Sequence, residues 1–536
     1  MTSLFSAPEQ RSSGGTVRNV LFIMCDQLRR DYLGCYGHPT IKTPNIDALA
    51  ASGVRFNRGY VQGPVCGPSR MSAYTGRYVA SHGCTWNFVP IGVQTPTMGE
   101  HLRQLGLRTA VIGKTHAVAD QDGIARLRLD APSRESLLLA EGGFEPYARH
   151  DGVVLDASLN SGRAYPYNSF LMAQGYSGPN AWHDHANSAL GERGAILSGW
   201  QLRHSSLPAR VAEEHSETAW ATDRAIEFIT EQGDQPWCLH LSYIKPHWPY
   251  MAPAPYHDLY GSEDILAVVR AAHELDDEHE VYRAFRNHRE SKAFSRDDVR
   301  ASVIPAYMGL ISQLDTHIGR LMAFLKQQER LQDTLIVFTS DHGDHLGDHW
   351  LGEKEMFYEA SAGVPLIIVE PEGRRRGEVD EAPVQLIDLL PTFLEAIGGT
   401  IESPWLEGQS LWTRIRDRHA PTQEQAISEL DYAFYPARQE LGRGVNDARA
   451  EMVATQRWKY IHYQGYAPQL FDLQEDPDEL RDLGREPSTA RIQREMLDRL
   501  IEWRRALHMR TAMTDAGVDD WLQKRTEPGG VRIGEW

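Results

Sequence analysis

The chain has 536 residues, of which 41% are hydrophobic and 24% are charged, and its formal net charge is −18. This length predicts two domains, or one large domain with a satellite, and the composition is that of a globular protein. The acidic balance argues against nonspecific nucleic-acid binding, which selects clustered Lys and Arg, so an anionic ligand would need a locally positive site.

The N-terminal residues 1–17 are rich in Ser and Gly and lack a long apolar core, so we expect a flexible arm rather than a signal peptide. No run elsewhere approaches the roughly 18 apolar residues that a membrane span needs. The five cysteines include no Cys-x-x-Cys pair, which argues against a disulfide framework and a zinc ribbon. We therefore expect a cytoplasmic protein with reduced thiols and neither a membrane nor a nucleic-acid partner.

Four short apolar runs predict central strands, because they are rich in β-branched residues and bounded by Gly or Pro. They lie at 20–25, 109–112, 237–243 and 335–339. A polar group follows each run, in the order Asp26-Gln27, Gly113-Lys114-Thr115-His116, Lys245-Pro246-His247 and Ser340-Asp341-His342. A fifth run at 364–369 contains Pro365 and predicts a strand with an interrupted start.

Helical patterns lie between these runs. Apolar side chains from Tyr307 to Leu325 recur every three or four residues, and Ser216 is a suitable N-cap for a helix that continues through Ile229. Alternating strands and helices predict an open α/β sheet with helices on both faces. Ligands of such sheets bind beyond the carboxyl ends of the strands, so the polar groups are expected to converge on one site.

Residues 150–212 show no clear periodicity and are rich in Gly, Asn, Ser and aromatic residues. We interpret them as a substrate-facing insertion, and a plain surface excursion is the alternative. The charged stretch at 262–300 predicts solvated helices. At 426–510 the pattern changes to short strands and a helix, which predicts a smaller α+β unit after a main domain at 18–425. The tail at 511–536 extends past this helix.

Between the first two predicted strands lies the pentad Cys66-Gly67-Pro68-Ser69-Arg70. Taken alone, it is consistent with a buried cysteine before a helix that opens with proline. Residue 66 would then lie near the positive end of the helix, where an anion is stabilised, and Arg70 would lie one turn further on.

Asp26, Gln27, Asp341 and His342 offer carboxylate, amide and imidazole groups after two of the predicted strands. This set suits a hard or borderline divalent cation such as Ca²⁺, Mn²⁺ or Mg²⁺. A solvated loop is one alternative reading of the segment 341–349. A zinc site is another, because the segment contains three histidines.

Together these motifs resemble the sulfatase branch of the alkaline phosphatase superfamily, which includes the phosphonate monoester hydrolases. The resemblance covers nearly the whole chain and is carried by Asp26, the Cys66 pentad, Thr75-Gly76-Arg77-Tyr78, Gly113-Lys114-Thr115-His116, His247, Ser340-Asp341-His342-Gly343-Asp344, Lys354 and Leu470-Phe471-Asp472-Leu473. It implies an alkaline-phosphatase-like α/β/α sandwich around a large mixed sheet, with a smaller C-terminal α+β domain.

In this family the pentad directs oxidation of its cysteine, so the resemblance implies that a formylglycine-generating enzyme converts Cys66 to formylglycine (3-oxoalanine). The hydrated aldehyde is then the nucleophile. Residue 66 would complete a metal site with Asp26, Gln27, Asp341 and His342. Sulfatases commonly bind calcium and carry Asp and Asn in place of Gln27 and His342. The phosphonate monoester hydrolases resemble this chain more closely at both positions. Calcium and manganese are therefore both candidates, with magnesium a third.

The resemblance also implies roles for residues around the nucleophile. Lys114 and His116 flank it, and His116 is the general base. His247 and Lys354 bind the ester and assist the leaving oxygen, while Asn87 donates to a substrate oxygen. For each residue alone, the plainer reading is a lysine on a rim or a satisfied core histidine.

Arg70 is expected to bond the diol and to screen the charge of the substrate. The pair Lys114 and His116 resembles sulfatases, whereas phosphonate monoester hydrolases tend to have Tyr and Thr there. Sulfate monoesters are therefore the first predicted substrates, and phosphonate monoesters and phosphodiesters the second. A further hypothesis is a non-catalytic metal-dependent binding protein whose Cys66 stays a thiol. Because phosphonate-hydrolase-like relatives use extended tails in oligomers, we expect a homodimer or homotetramer.

Overall fold

A computed structural model of the chain describes residues 17–130, 133–152, 166–276, 278–399, 403–507 and 513–526. The predicted arm at 1–17 lies outside these ranges apart from Val17, and so do parts of the 150–212 segment and of the 511–536 tail. Among the described helices, none combines the length and the apolar composition that crossing a membrane requires.

The described strands form one large sheet, one small sheet and a short hairpin. In chain order they are β1 Asn19–Asp26, β2 Val54–Tyr60, β3 Arg108–Gly113, β4 Glu145–Arg149, β5 Ser188–Leu190, β6 Ile196–Ser198, β7 Trp237–Pro246, β8 Thr334–Ser340, β9 Gly363–Val369, β10 Glu378–Asp380, β11 Val384–Gln385, β12 Gln425–Asp431, β13 Arg449–Thr455, β14 Trp458–Tyr463 and β15 Gln469–Asp472.

The α-helices of the described ranges pack around these sheets. In chain order they are α1 Pro44–Ser52, α2 Cys66–Thr75, α3 Val79–His82, α4 Met98–Gln104, α5 Gln121–Arg126, α6 Arg134–Ala140, α7 Pro166–Ala173, α8 Glu217–Gln232, α9 Glu280–Arg286, α10 Arg289–Phe294, α11 Asp297–Gln327, α12 Glu359–Ala362, α13 Leu389–Ile397, α14 Pro436–Glu440, α15 Ala490–Ala506 and α16 Asp515–Thr526.

The large sheet has nine strands, in the order β10-β2-β9-β8-β1-β7-β3-β4, and β11 extends it beside β2. Strand β9 is antiparallel to both of its neighbours, whereas the other pairs are parallel. The carboxyl ends of the remaining strands therefore meet at one edge. Pro365 of β9 lies opposite a register shift in β2 between Phe56 and Gly59, where a missing N–H donor is tolerated.

The large sheet separates two hydrophobic cores, because successive side chains of a strand point to opposite faces. Leu21, Ile23 and Cys25 of β1 belong to the core that contains α1, α8 and α11. Phe22 and Met24 belong to the core that contains α2, α4 and α13. The result is a three-layer α/β/α sandwich around a mixed sheet, and the predicted fold class is confirmed.

The elements predicted from the sequence lie in the middle of this sandwich. The four predicted central strands are β8, β1, β7 and β3, which are neighbours in the sheet. The predicted helix from Tyr307 is part of α11, and Ser216 caps α8 by accepting a hydrogen bond from the N–H of Ala219. The charged stretch at 262–300 is less solvated than expected, because α9 buries Val281 and Phe285 in a third core.

Helix α2 carries the pentad at the carboxyl edge of the sheet. The connection from β2 ends at Val65 in an extended conformation, and Cys66 begins the helix. Pro68 lies in the first turn, where its missing N–H needs no partner. Gly76 ends the helix with a φ of 64°, a left-handed conformation that favours glycine, and its N–H donates to Ser72.

The described part of the predicted insertion, residues 166–212, is packed rather than irregular. It contains α7, a π-helical turn at Trp182–Ala186 and the antiparallel hairpin of β5 and β6. Tyr167, Leu171 and Trp182 lie in the core that contains α8 and α11. This part of the chain is therefore anchored on the face of the large sheet that α8 covers.

The small sheet is antiparallel, in the order β12-β13-β14-β15. Helix α15 covers one face with Met496, Leu500 and Trp503. The other face shares a core with Tyr282 and Tyr358, which belong to connections of the large unit. This is the smaller α+β unit that the sequence predicts, and the domain bounds stay predictions.

Candidate active site

The polar groups that follow the central strands meet at the carboxyl edge of the large sheet. Asp26 ends β1, Lys114 follows β3, His247 follows β7 and Asp341 follows β8. Cys66 begins α2 among them, and all five side chains are buried. The parallel order of the strands thus gathers residues from distant parts of the sequence into one pocket.

Basic side chains surround the thiol of Cys66. Its Sγ lies 3.1 Å from His342 Nε2, 3.5 Å from Lys354 Nζ and 3.6 Å from Lys114 Nζ. Burial alone would raise the pKa of this thiol, but the charges of Lys114, Lys354 and His342 outweigh it and hold the pKa well below its usual range. Residue 66 therefore occupies a pocket that favours an anion.

Arg70 pairs with both carboxylates of the pocket. Its guanidinium contacts Asp26 at 3.0 Å and Asp341 at 2.8 Å. It also donates to the carbonyl oxygen of Lys114 at 2.8 Å and to Ser242 Oγ at 2.7 Å. These bonds use four of the five N–H donors of the side chain, in a planar fork that lysine cannot reproduce.

Asp26, Cys66, Asp341 and His342 each place one potential metal ligand within 4.8 Å of the others, and all four residues are buried. His342 Nδ1 faces the carbonyl oxygen of Gly343 at 2.8 Å, so Nδ1 carries the proton and Nε2 offers its lone pair to the cluster. Burial lowers the pKa of His342, but Asp341 and Cys66 raise it to about 9. The carboxylates and the thiol therefore favour a positive charge at His342, and the set of carboxylate, imidazole and thiol donors fits a divalent cation.

Gln27, the fifth predicted ligand, lies at the edge of this cluster. Its backbone N–H donates to Asp341 Oδ1 at 3.1 Å, and its side-chain oxygen accepts from Lys354 at 3.2 Å. Its side-chain NH₂ donates to Asp344, which also accepts from the hydroxyl of Tyr250 at 2.6 Å. Asp344 and Tyr250 are not among the site residues predicted from the sequence. Asp344 belongs to the motif that follows β8, whereas no pattern around Tyr250 indicates its position.

The remaining predicted residues border the pocket. His247 Nδ1 donates to the next residue's carbonyl oxygen at 2.6 Å, while its Nε2 lies 4.0 Å from Asp26 Oδ1. Burial lowers the pKa of His247 to about 4. His116 is half-buried, and its Nδ1 has no hydrogen-bond partner among the residues that the structure describes. Asn87 accepts a hydrogen bond from the N–H of Gly67 at 2.8 Å, which ties it to the first turn of α2.

Four residues around the site adopt left-handed backbone conformations although none is glycine. The φ angle is 65° at Gln27, 55° at His116, 67° at Glu353 and 87° at Glu355. Such conformations cost about 1–3 kcal/mol each and persist where the surrounding structure dictates them, commonly at functional sites. Two of them flank Lys354, so local strain accompanies the placement of its ammonium group beside the thiol.

A family model for sulfatases, described as Sulfatase, matches residues 18–399, which is more than half of the chain. The chain belongs to the Sulfatase family. A second family model, described as N-sulphoglucosamine sulphohydrolase, C-terminal, matches residues 347–506.

Relatives of this sulfatase align with nearly its whole length. It is 29% identical over 517 residues to the multifunctional alkaline phosphatase superfamily protein PehA of Trinickia caryophylli, across 91% of this chain and 95% of that protein. It is 28% identical over 481 residues to an arylsulfatase of Clostridium perfringens, across 87% of this chain and 90% of that protein. The structure of the phosphonate monoester hydrolase SpPMH from Silicibacter pomeroyi has 29% identity and a TM-score of 0.80, across 93% of this chain and 98% of that chain.

These matches confirm three predictions: the sulfatase branch of the alkaline phosphatase superfamily, its fold class and an ester hydrolase activity. The metal, the oxidation of Cys66 and the roles of the individual site residues stay predictions.

A buried ion pair outside the cluster of potential metal ligands holds the segment that carries His247. Lys245, in β7, lies 3.4 Å from Glu217 Oε2 and donates to the carbonyl oxygen of Pro249 at 3.0 Å. Glu217 begins α8 and also accepts from Trp182 Nε1 at 2.6 Å. Burial would raise the pKa of Glu217, but Lys245, His150 and Trp182 together outweigh it and the pKa falls to about 2. The pair therefore joins the turn after β7 to the packed part of the insertion.

Replacing Glu217 by Gln is expected to destabilise the sulfatase by about 3–5 kcal/mol, because Lys245 would keep a buried charge without its partner. The double variant Glu217→Gln/Lys245→Met should lose less, since neither charge then remains. Urea denaturation followed by tryptophan fluorescence measures both losses.

Glu227→Gln is the matched control on the same helix. Glu227 pairs with Arg224, and both side chains are more than one-third exposed, so its loss should cost no more than about 1 kcal/mol. A double variant less stable than Glu217→Gln would show that the buried charges are not coupled in this way.

Proposed function

We propose that this sulfatase hydrolyses sulfate monoesters with a formylglycine derived from Cys66 as its nucleophile. The position of Cys66 carries the proposal: it begins α2, and three basic side chains lie within 3.6 Å of its sulfur. A cysteine that serves only in packing needs none of these neighbours. An anionic ester needs such charges, because they stabilise the negative charge that develops during its hydrolysis.

The buried donor set supports one bound divalent cation. Asp26, Asp341 and His342 would hold it, with Gln27 and residue 66 completing the set. Carboxylate, amide and imidazole donors favour calcium or manganese, with magnesium a third candidate. Bound there, the cation would neutralise charge on the ester and lower the pKa of a coordinated hydroxyl.

Hydrated formylglycine supplies one hydroxyl that attacks the sulfur and a second whose deprotonation releases the sulfate. His116 is the proposed acceptor of that second proton, because its side chain lies within hydrogen-bond reach of residue 66. Arg70, whose guanidinium pairs with both carboxylates of the pocket, is the proposed donor to the hydrated aldehyde. The ammonium groups of Lys114 and Lys354 stabilise the charge on the sulfuryl oxygens.

The leaving oxygen is assigned to His247 and Lys354. The Nδ1 proton of His247 is already donated to a carbonyl oxygen, so its Nε2 can donate only when the ring is protonated. The nearby Asp26 and an anionic ester both favour that charge, whereas burial opposes it. The side-chain NH₂ of Asn87 is the proposed donor to another substrate oxygen, because its carbonyl oxygen is already bonded to Gly67.

Phosphonate monoesters and phosphodiesters are the second candidate substrates. This alternative is supported by the phosphonate monoester hydrolases of Silicibacter pomeroyi and Agrobacterium radiobacter, whose structures match 93% of the chain with TM-scores of 0.80 and 0.78. Gln27 and His342 favour it as well, whereas Lys114 and His116 favour sulfate. Sulfuryl and phosphoryl monoanions are both tetrahedral, so one pocket can accommodate either.

Two partner predictions accompany this function. A formylglycine-generating enzyme would act transiently on Cys66. A homodimer or homotetramer through the 511–536 tail is supported by α16, whose Trp521 and Leu522 are exposed in the single chain. Cytoplasmic location stays a prediction.

Peptide mass spectrometry of the purified, active enzyme should find residue 66 about 18 Da lighter than cysteine, or its hydrate. Cys66→Ala should lower kcat by at least about a thousandfold, because the nucleophile is lost. Cys35→Ala, a half-buried cysteine outside the pocket, is the control and should keep wild-type activity. Active enzyme with an unmodified thiol, or an active Cys66→Ala variant, would overturn the proposal.

Dialysis against a chelator should remove activity together with about one divalent ion per chain, and calcium or manganese should restore it. Elemental analysis counts the ion independently of turnover. Loss of a group that only hydrogen-bonds a metal ligand typically weakens metal binding by roughly 10- to 100-fold. Asp341→Asn changes a proposed ligand itself, so it should weaken metal binding by more than this. Full activity after complete removal of the metal would contradict this site.

Matched esters of 4-nitrophenol separate the two substrate classes, because the leaving group is constant. The value of kcat/KM for the sulfate should exceed that for the phenylphosphonate and the phosphodiester by more than about tenfold, or about 1.4 kcal/mol of transition-state stabilisation. The reverse ranking would replace sulfate by the phosphonate and phosphodiester class.

A further inference from the structure

A cleft of about 550 Å³ opens on the β2 side of the large sheet, and we call it the arginine cleft. Arg30, Arg55 and Arg58 line it, together with Asn57 and Glu381. Arg30 follows β1, Arg58 lies near the end of β2 and Glu381 follows β10, so the cleft lies along the carboxyl edge, where ligands of such sheets bind. None of the described residues that line the cleft belongs to the candidate active site.

An irregularity of β2 fixes the position of one of these arginines. The register between β2 and β9 shifts between Phe56 and Gly59. The hydroxyl of Tyr36 lies at this shift, where it donates to the carbonyl oxygen of Phe56 at 3.0 Å and accepts from the N–H of Leu366 at 2.9 Å. The guanidinium of Arg55 lies 4.9 Å from the centroid of the Tyr36 ring. Because both hydrogen bonds hold that ring, the cation–π contact holds Arg55 in place.

The charge of Arg30 is balanced by a buried network. Its guanidinium lies 2.9 Å from Glu359 Oε2 and also donates to the carbonyl oxygen of Asn57. The buried ammonium of Lys459 lies 2.8 Å from Glu359 Oε1 and 2.7 Å from Glu479 Oε1. Two cations thus face two carboxylates, so this network adds no net charge to the cleft.

Arg55 and Arg58 supply an uncompensated positive charge. Both are half-buried, and neither forms an ion pair within the part of the chain that the structure describes. The other carboxylate of the cleft, Glu381, is exposed and accepts from the side chain of Asn57 at 2.7 Å. Salt screens an exposed charge more strongly than a partly buried one. The cleft is therefore locally positive in a chain whose formal net charge is −18.

The chemistry of these arginines determines the class of ligand. A guanidinium presents planar N–H donors that match two oxygens at once, so it selects oxyanions. A tetrahedral oxyanion has enough oxygens to contact two guanidiniums, whereas a carboxylate offers only two oxygens and chloride offers none. The volume of the cleft lies within the range of about 300–1,000 Å³ that is typical of small-molecule sites, so such an ion fits with its water shell.

We propose that the arginine cleft is a second anion site of this protein and that it binds a tetrahedral oxyanion. The proposal goes beyond the hydrolysis proposed above, and it does not require that reaction, because the cleft shares no residue with the candidate active site. The sulfate that the reaction would release and inorganic phosphate from solution have the same chemistry. The experiment below distinguishes these two sources.

Equilibrium dialysis with radiolabelled inorganic sulfate counts the bound ions without any turnover. In about 0.15 M sodium chloride, which screens nonspecific attraction, Arg55→Gln/Arg58→Gln should bind one sulfate fewer per chain than the wild type. A loss of at least about tenfold in the affinity of one site, or about 1.4 kcal/mol, is the equivalent result. Arg491→Gln/Arg494→Gln makes the same charge change on the exposed side of α15 and should bind sulfate like the wild type.

Competition in the same dialysis identifies the ligand. Unlabelled phosphate should displace sulfate from the cleft, whereas acetate at the same concentration should not. Tighter binding of phosphate than of sulfate would support the site and assign phosphate as its ligand. Acetate that displaces sulfate as well as phosphate does would overturn the assignment to tetrahedral oxyanions.

Thermal unfolding checks that the cleft variant is folded and provides a second measurement. Without sulfate, Arg55→Gln/Arg58→Gln should unfold at nearly the wild-type temperature, because neither arginine has an ion pair to lose among the described residues. Added sulfate should raise the unfolding temperature of the wild type more than that of this variant, since a ligand stabilises the state that binds it. Equal rises in both proteins would contradict the proposal.

The outcomes separate the two proposals. An unmodified Cys66 thiol in active enzyme would overturn the formylglycine function and leave the count of bound sulfate at the cleft unaffected. Wild type and cleft variant that bind sulfate in equal number and with equal affinity would overturn the second anion site. The function proposed for the active site would then stand, because no residue of the cleft takes part in it.

Discussion

The arrangement of the pocket depends on the buried guanidinium of Arg70. Its partners belong to the ends of four strands: Asp26 ends β1, Asp341 follows β8, Ser242 lies in β7 and Lys114 follows β3. Two carboxylates buried so close together repel each other, and each costs several kcal/mol unless a counter-charge lies beside it. Arg70 supplies that charge from the helix that Cys66 begins, so a single side chain fixes the position of Cys66 relative to the sheet.

The same contacts divide the oxygens of each carboxylate between two tasks. Oδ2 of Asp26 pairs with Arg70 and Lys114, while its Oδ1 lies 3.9 Å from the sulfur of Cys66. Oδ2 of Asp341 pairs with Arg70, while its Oδ1 accepts the N–H of Gln27 and lies 3.8 Å from His342 Nε2. One oxygen of each residue is therefore held by an ion pair with Arg70, and the other faces the cluster of potential metal ligands. The oxygens that join the carboxylates to Arg70 are thus different from the oxygens that the cluster offers to a cation.

The sequence predicts that the polar residues after the four apolar runs converge, because parallel strands end at a common edge of the sheet. These residues are Asp26, Lys114, His247 and Asp341. The Glu217–Lys245 ion pair cannot be predicted from the sequence. No spacing rule connects the first residue of a helix with the end of a strand that packs against it. Left-handed conformations at residues such as Gln27 give no sequence signal either, because tertiary contacts rather than glycine impose them.

The contacts of Phe434 and Tyr435 with Trp86 could not be predicted from the sequence for a related reason. The sequence predicts a smaller α+β unit at 426–510 but not the surface on which it packs. The small sheet packs against the large unit through a shared core, and this brings Phe434 and Tyr435 onto Trp86. Contacts between segments so far apart are determined by the packing of the two sheets, which local patterns do not encode.

The contacts around the pocket therefore differ in what a substitution would cost. The strand ends are joined by Arg70, where a substitution leaves a buried charge unpaired. Phe88 and Phe434 lie in connections where their side chains are exposed, and they take no part in that ion-pair network. Substitutions at these two positions are therefore tolerated more easily than substitutions at the strand ends that carry the buried charges.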